Sequence, residues 1–73
     1  MNKSKKELPI VCRKIRKYRK EKGFSQEKLA RTADLSFHTI VKLENGDTSN
    51  PTVDTVKKIA DALEVTTDDL LNE

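Results

Sequence analysis

Cys12 and His38 are the single thiol and the single imidazole of the 73-residue chain, and they stand far apart in sequence. One cysteine excludes a disulfide framework within the chain, and a metal-ligand cluster is hard to build from one Cys and one His. There is no glycine-rich phosphate loop and no nucleophile with a base to assign, so neither enzymatic activity nor a cofactor is expected. Paired carboxylates such as Asp68-Asp69 suit the start of a helix. What the residue types do offer is positive charge, concentrated in the first half of the chain.

The charges are unevenly placed. Residues 1–36 hold twelve Lys and Arg against four Asp and Glu, a balance of +8, whereas residues 37–73 hold three against eight, a balance of −5. Such asymmetry suits a basic face for a polyanion with an acidic end set apart from it. It equally suits two solvated helix surfaces. The basic opening is followed by an apolar stretch of only Leu8 to Cys12, too short for a signal peptide, and no run is long enough to span a membrane. The expected location is cytoplasmic.

Five helices would have to position these residues, with no credible strand. Leu8, Val11, Cys12, Ile15, Tyr18 and Arg19 recur at helical spacing, with Pro9 in the first turn and Lys22-Gly23 at the end. Ser25 caps a second helix, Gln26 to about Ala33, in which Leu29, Ala30 and Ala33 share a face. Ser36 caps a third, to about Asn45, with Ile40, Leu43 and Glu44 on one side and His38, Val41, Lys42 and Asn45 on or flanking the other. Asn45-Gly46 stops it. Thr52 opens a fourth helix with a stripe of Val53, Val56, Ile59, Ala60 and Leu63. A fifth fits Thr66 to Leu71, with Thr66 and Asp69 as a capping pair. Residues 1–7 are expected to be a flexible basic arm, and 8–73 one domain.

Only Asp34 to Ser36 join the second and third helices, a length suited to a sharp helix-turn-helix over about residues 26–45. The stretch FSQEKLARTADLSFHTIVKLENG, Phe24 to Gly46, resembles the helix-turn-helix of the phage-repressor and Cro family, the Xre-like bacterial regulators. Gln26, Leu29-Ala30, Ile40, Leu43 and Glu44-Asn45-Gly46 carry the resemblance. Ile15-Arg16 through Arg19, and NPTVDTVKKIADALEV followed by DDLL, extend it to about residues 15–71. The implied fold is an all-α, lambda-repressor-like five-helix bundle. Two positions depart from the pattern: Asp34 replaces the usual turn Gly, and Phe37 stands where relatives are commonly polar.

The resemblance implies a sequence-specific, double-stranded DNA-binding transcriptional regulator, most simply a repressor that binds a palindromic operator as a homodimer with the third helix in the major groove. It carries base reading onto Phe37, His38, Val41 and Lys42. Lys42 suits guanine O6 and N7 or a phosphate, His38 a base edge, and Val41 and Phe37 a thymine methyl; Phe37 equally suits packing over the turn. Gln26 is expected to bond a backbone phosphate, with Ser25, Ser36, Thr39 and Asn45 as further phosphate contacts. Arg19 and Glu44, opposite charges on inward faces, are expected to form the family's largely buried ion pair. Arg13, Lys14, Arg16, Lys17 and Lys20 give a broader basic footprint. Either Leu70-Leu71 or Asp47 to Pro51 could hold a dimer contact or complete the monomer core. The competing expectation is an antitoxin-like module that neutralises a protein partner and regulates its own operon.

Overall fold

A hydroxyl opens four of the five helices among the described residues. The computed structural model describes residues 8–48 and 50–72, with α1 over Ile10–Glu21, α2 over Gln26–Ala33, α3 over Phe37–Asn45, α4 over Val53–Leu63 and α5 over Thr67–Leu71. Ser25, Ser36, Thr52 and Thr66 each accept a hydrogen bond from the backbone N–H three residues on, at 3.0–3.1 Å. This satisfies one of the donors that a helix start leaves without an internal partner. Thr66 N–H also donates to Asp69 Oδ2, so the two residues cap each other reciprocally. α1 differs from the expectation: Pro9 precedes the helix as its N-cap, and its carbonyl accepts from Cys12 and Arg13. Its ring therefore removes no donor from a turn that needs one. The basic arm expected over residues 1–7 lies outside the described residues.

Left-handed residues close α2, α3 and α4. Asp34 has φ 61°, Gly46 φ 84° and Glu64 φ 60°. After Asp34 and Glu64 the next N–H reaches back, Leu35 to the Ala30 carbonyl and Val65 to that of Ala60, which folds both apolar side chains against the core. At Gly46 the conformation and the space act together, because a β-carbon there would meet Leu8 Cδ2 at 2.6 Å. Asp34 has a β-carbon in a region that costs most residues about 1–2 kcal/mol, whereas glycine loses about 0.4–1 kcal/mol through the unfolded chain. Asp34→Gly is therefore expected to stabilise the domain by about 0.5–1 kcal/mol and to raise Tm by about 2–8 °C. Asp34→Ala should lower Tm in the same thermal melt; a lower Tm for both variants would contradict the strain argument.

The core is built from Val11, Cys12 and Ile15 of α1, Leu29, Ala30 and Ala33 of α2, Ile40 and Leu43 of α3, Leu70 of α5, and five residues of α4. α2 packs on α3 and α4, and α1 on α3, α4 and α5. Cys12 is fully buried, and burial pushes its thiol up from the ordinary value. The fourth-helix stripe needs one correction: Val53 is 83% exposed, and Ala62 is buried instead. Val53 is the first residue of α4 and lines an open groove beside Thr67 and Leu71 instead of entering the core. Leu70 is buried in the core whereas Leu71 is half exposed. No helix among the described residues is long and apolar enough to cross a membrane.

Two carboxylates tie the acidic end together. Glu64 accepts from Lys22 Nζ at 2.9 Å, linking the end of α1 to the α4–α5 turn, and that bond holds its carboxyl below the usual range. Asp69 is lowered chiefly by the backbone bond from Thr66 and next by its side-chain bond. Both groups titrate lower when folded, so the native state binds fewer protons than the unfolded chain. Their stabilisation is complete only about a pH unit above the ordinary carboxylate values of about 4, and it disappears as pH falls through the folded values. In an acid titration of Tm, Asp69→Asn with Glu64→Gln should give a flatter dependence below about pH 4 than the parent chain; an unchanged slope would deny these carboxylates that role.

Candidate nucleic-acid interface

The sharp turn at Asp34, Leu35 and Ser36 sets α3 across α2, and the amino-acid period of α3 then decides what each side sees. Ile40, Leu43 and Glu44 turn inward and are buried. His38, Lys42 and Asn45 are exposed, Val41 and Thr39 are partly so, and Phe37 is 49% exposed. Residues 38, 41, 42 and 45 follow the three- and four-residue spacing of one helix face. Nine residues give a rod of about 13 Å, comparable to the roughly 12 Å width of a DNA major groove. His38 and Lys42 contribute donors to that face, and Phe37 and Val41 contribute apolar surface beside them.

The hydroxyls at the helix starts already have local work. Ser25 Oγ accepts from Lys28 N–H, and Ser36 Oγ accepts from Thr39 N–H while pairing with Thr39 Oγ1 at 2.8 Å. Ser25 keeps its own hydroxyl proton, and Ser36 and Thr39 between them keep one, available to a further acceptor. Asn45 ends α3 and is exposed.

Beneath this face lies a polar network. Arg19 Nε donates to Glu44 Oε2 at 2.6 Å and Nη2 to Oε1 at 3.0 Å, a two-pronged pair in which the side chains are only 11% and 3% exposed. Arg19 Nη1 donates to the Phe24 carbonyl at 2.8 Å, and Gln26 Nε2 donates to Glu44 Oε1 at 3.0 Å. One carboxylate thus ties the last turn of α1, the first residue of α2 and the end of α3. No described buried side-chain N or O atom lacks a partner. The roles of Phe24 and Gln26 in this network were not legible in the sequence: eighteen positions separate Gln26 from Glu44, and no local pattern marks them as neighbours.

The basic face of α1 is partly engaged with aromatic rings. Lys14 and Lys17 each lie 5.3 Å from the Tyr18 ring centre, and Lys22 and Lys28 lie 5.6 and 5.5 Å from that of Phe24. Such placement attracts an ammonium to the ring face while leaving it near solvent. Arg13 Nε donates to the Leu8 carbonyl. Arg16 and Lys20 are exposed.

The helix-turn-helix family profile matches residues 15–70 of the chain, from Ile15 in α1 to Leu70 in α5. This chain belongs to the Xre-like helix-turn-helix family. Its all-α arrangement agrees with the fold that the sequence resemblance implied. The chain is 33% identical over 64 residues to the HTH-type transcriptional regulator SinR of Bacillus licheniformis, a match that covers 88% of this chain and 58% of that protein. The family member described here therefore spans less than two thirds of that regulator. Among solved structures it is similar to SinR, the master regulator for biofilm formation, in complex with DNA: TM-score 0.82, 31% identity, 85% of this chain and 98% of that one. It is also similar to a chain of a SinR–SinI protein complex, with TM-score 0.82, 32% identity, 86% of this chain and 61% of that one.

Proposed function

We propose that this chain is the DNA-binding unit of a sequence-specific transcriptional regulator, a repressor that occupies a palindromic operator as a dimer. The observation that carries this reading is the exposed face of α3, with His38 and Lys42 beside Phe37 and Val41, fixed from below by the Arg19–Glu44–Gln26 network. A similar chain solved in complex with DNA supports it. In this reading Phe37, His38, Val41 and Lys42 read bases, while Ser25, Gln26, Ser36, Thr39 and Asn45 contact phosphates and set the register. The basic first half draws the duplex in, and a cytoplasmic location fits such a role.

Dimerisation is supported by one surface. Pro51, Val53, Val56, Thr67 and Leu71 line an apolar groove, and of these Val53, Thr67 and Leu71 are exposed. The two segments expected to offer a contact, the loop before α4 and the end of α5, meet there. Because a single recognition helix covers only a few base pairs, two copies on half-sites about one helical turn apart would supply the needed length. A second reading, a module that binds a protein partner, is favoured by the structure of SinR with SinI.

Selection of bound sequences from a random duplex pool, at physiological salt with competitor DNA, tests the first reading. Enrichment of an inverted repeat with half-sites about one turn apart is expected. A single short site would reject the dimer, and no enrichment from a folded protein would favour the partner-binding module.

A further inference from the structure

Glu44 is the only charged residue buried among the described residues. Its carboxylate has about four lone-pair sites, and Arg19 uses one on each oxygen. A third bond, to Oε1, comes from Gln26 Nε2. Gln26 is the first residue of α2 and is only partly buried. A carboxylate accepts and cannot donate, so the glutamine must turn its nitrogen, not its oxygen, toward Glu44. That nitrogen carries a second hydrogen, left for a partner from outside. It lies at the same helix start whose first backbone N–H groups no earlier turn can satisfy.

We infer that Glu44 is a positioning residue for DNA binding: through its bond to Gln26 it holds the amide at the start of α2 with one N–H committed inward and the other kept for a phosphate oxygen. The inference rests on the reading of Gln26 as a phosphate contact. An untethered glutamine would have to be ordered during association, which weakens binding by about twofold to tenfold per immobilised side chain. It could also present its oxygen to the phosphate. The buried ion pair and the DNA contact are thus one device, with Arg19 orienting Glu44 and Glu44 orienting Gln26.

The test measures affinity of the full chain for a short fluorescent duplex of random sequence, since a phosphate contact needs no operator. Gln26→Ala is compared in the parent and in Arg19→Met/Glu44→Met, where both charges leave together and none is stranded. The double variant should bind about twofold to tenfold more weakly than the parent, and Gln26→Ala should then cost it less than it costs the parent. Arg19→Met/Glu44→Gln, which returns an acceptor to position 44, should recover part of the loss. An equal loss from Gln26→Ala in both backgrounds would overturn the inference while leaving the phosphate contact standing. No loss from Gln26→Ala in the parent would remove the contact itself, and the inference with it. A measurement without variants decides the matter even where these chains fail to fold. In the NMR spectrum of the parent, one Gln26 side-chain amide proton should be displaced by the carboxylate and stay displaced when duplex is added, while its twin shifts. Loss of the displaced signal on adding duplex would overturn the inference.

Discussion

Glu44→Ala is expected to destabilise the domain by about 3–5 kcal/mol, because it strands the Arg19 guanidinium in a site built around a carboxylate. The Arg19 side chain is 11% exposed and would lose both of its bonds to Glu44, keeping only the Phe24 carbonyl. Gln26 would lose its inward partner at the same moment. Against a total of about 5–15 kcal/mol for an ordinary domain, such a loss leaves a protein near its unfolding threshold at room temperature. Arg19→Ala should cost a similar amount for the opposite reason, since it leaves a carboxylate that is 3% exposed with only the Gln26 amide. Arg19→Met/Glu44→Met should be far milder than the sum of the two, because well-packed apolar side chains need no solvation. Urea unfolding followed by circular dichroism checks all three. Additive losses would show that each charge is solvated independently, contrary to the short two-pronged geometry.

How much of this could be read from the residues depends on how far apart the partners are. Ser25, Ser36 and the Thr66–Asp69 pair were legible because a cap acts within one turn, and the hydroxyl precedes the apolar period it serves. Arg19 and Glu44 were legible for a different reason: each charge falls on the inward stripe of its helix, and two such anomalies of opposite sign call for each other. Gln26 gave no such signal. It sits at a helix start where a polar residue is ordinary, and only the three-dimensional crossing of α2 and α3 brings it to Glu44. Glu64 was hidden likewise, since nothing local marks a glutamate for left-handed geometry, and its Lys22 partner is forty-two residues away. Val53 misled the helical period because periodicity says which side a residue faces and not whether the core closes over it.

Lys42→Ala and His38→Ala are expected to weaken binding to the selected operator by about 1–3 kcal/mol each, or about fivefold to over a hundredfold, with a much smaller effect on random duplex. The reason is placement. Both side chains are exposed on the outer face of α3, one turn apart, while the opposite face is anchored by Ile40, Leu43 and Glu44. In the proposed reading a donor held there would meet base edges, and its loss would matter most where the correct base waits to accept. Gln26→Ala should instead weaken operator and random duplex by similar factors, since a phosphate oxygen is present at every step. The two classes also separate by salt. Replacing a lysine that neutralises a phosphate reduces the slope of log affinity against log salt by about 0.9, whereas replacing one that reads a base at a phosphate-free edge changes the slope little. For Lys42 the measurement is therefore the slope together with the operator-to-random ratio. A fall in the ratio at constant slope assigns Lys42 to bases, and a constant ratio with a reduced slope assigns it to the backbone. In the second case sequence preference would have to come from Phe37, His38 and Val41, so the operator should then be marked by thymine methyls facing α3.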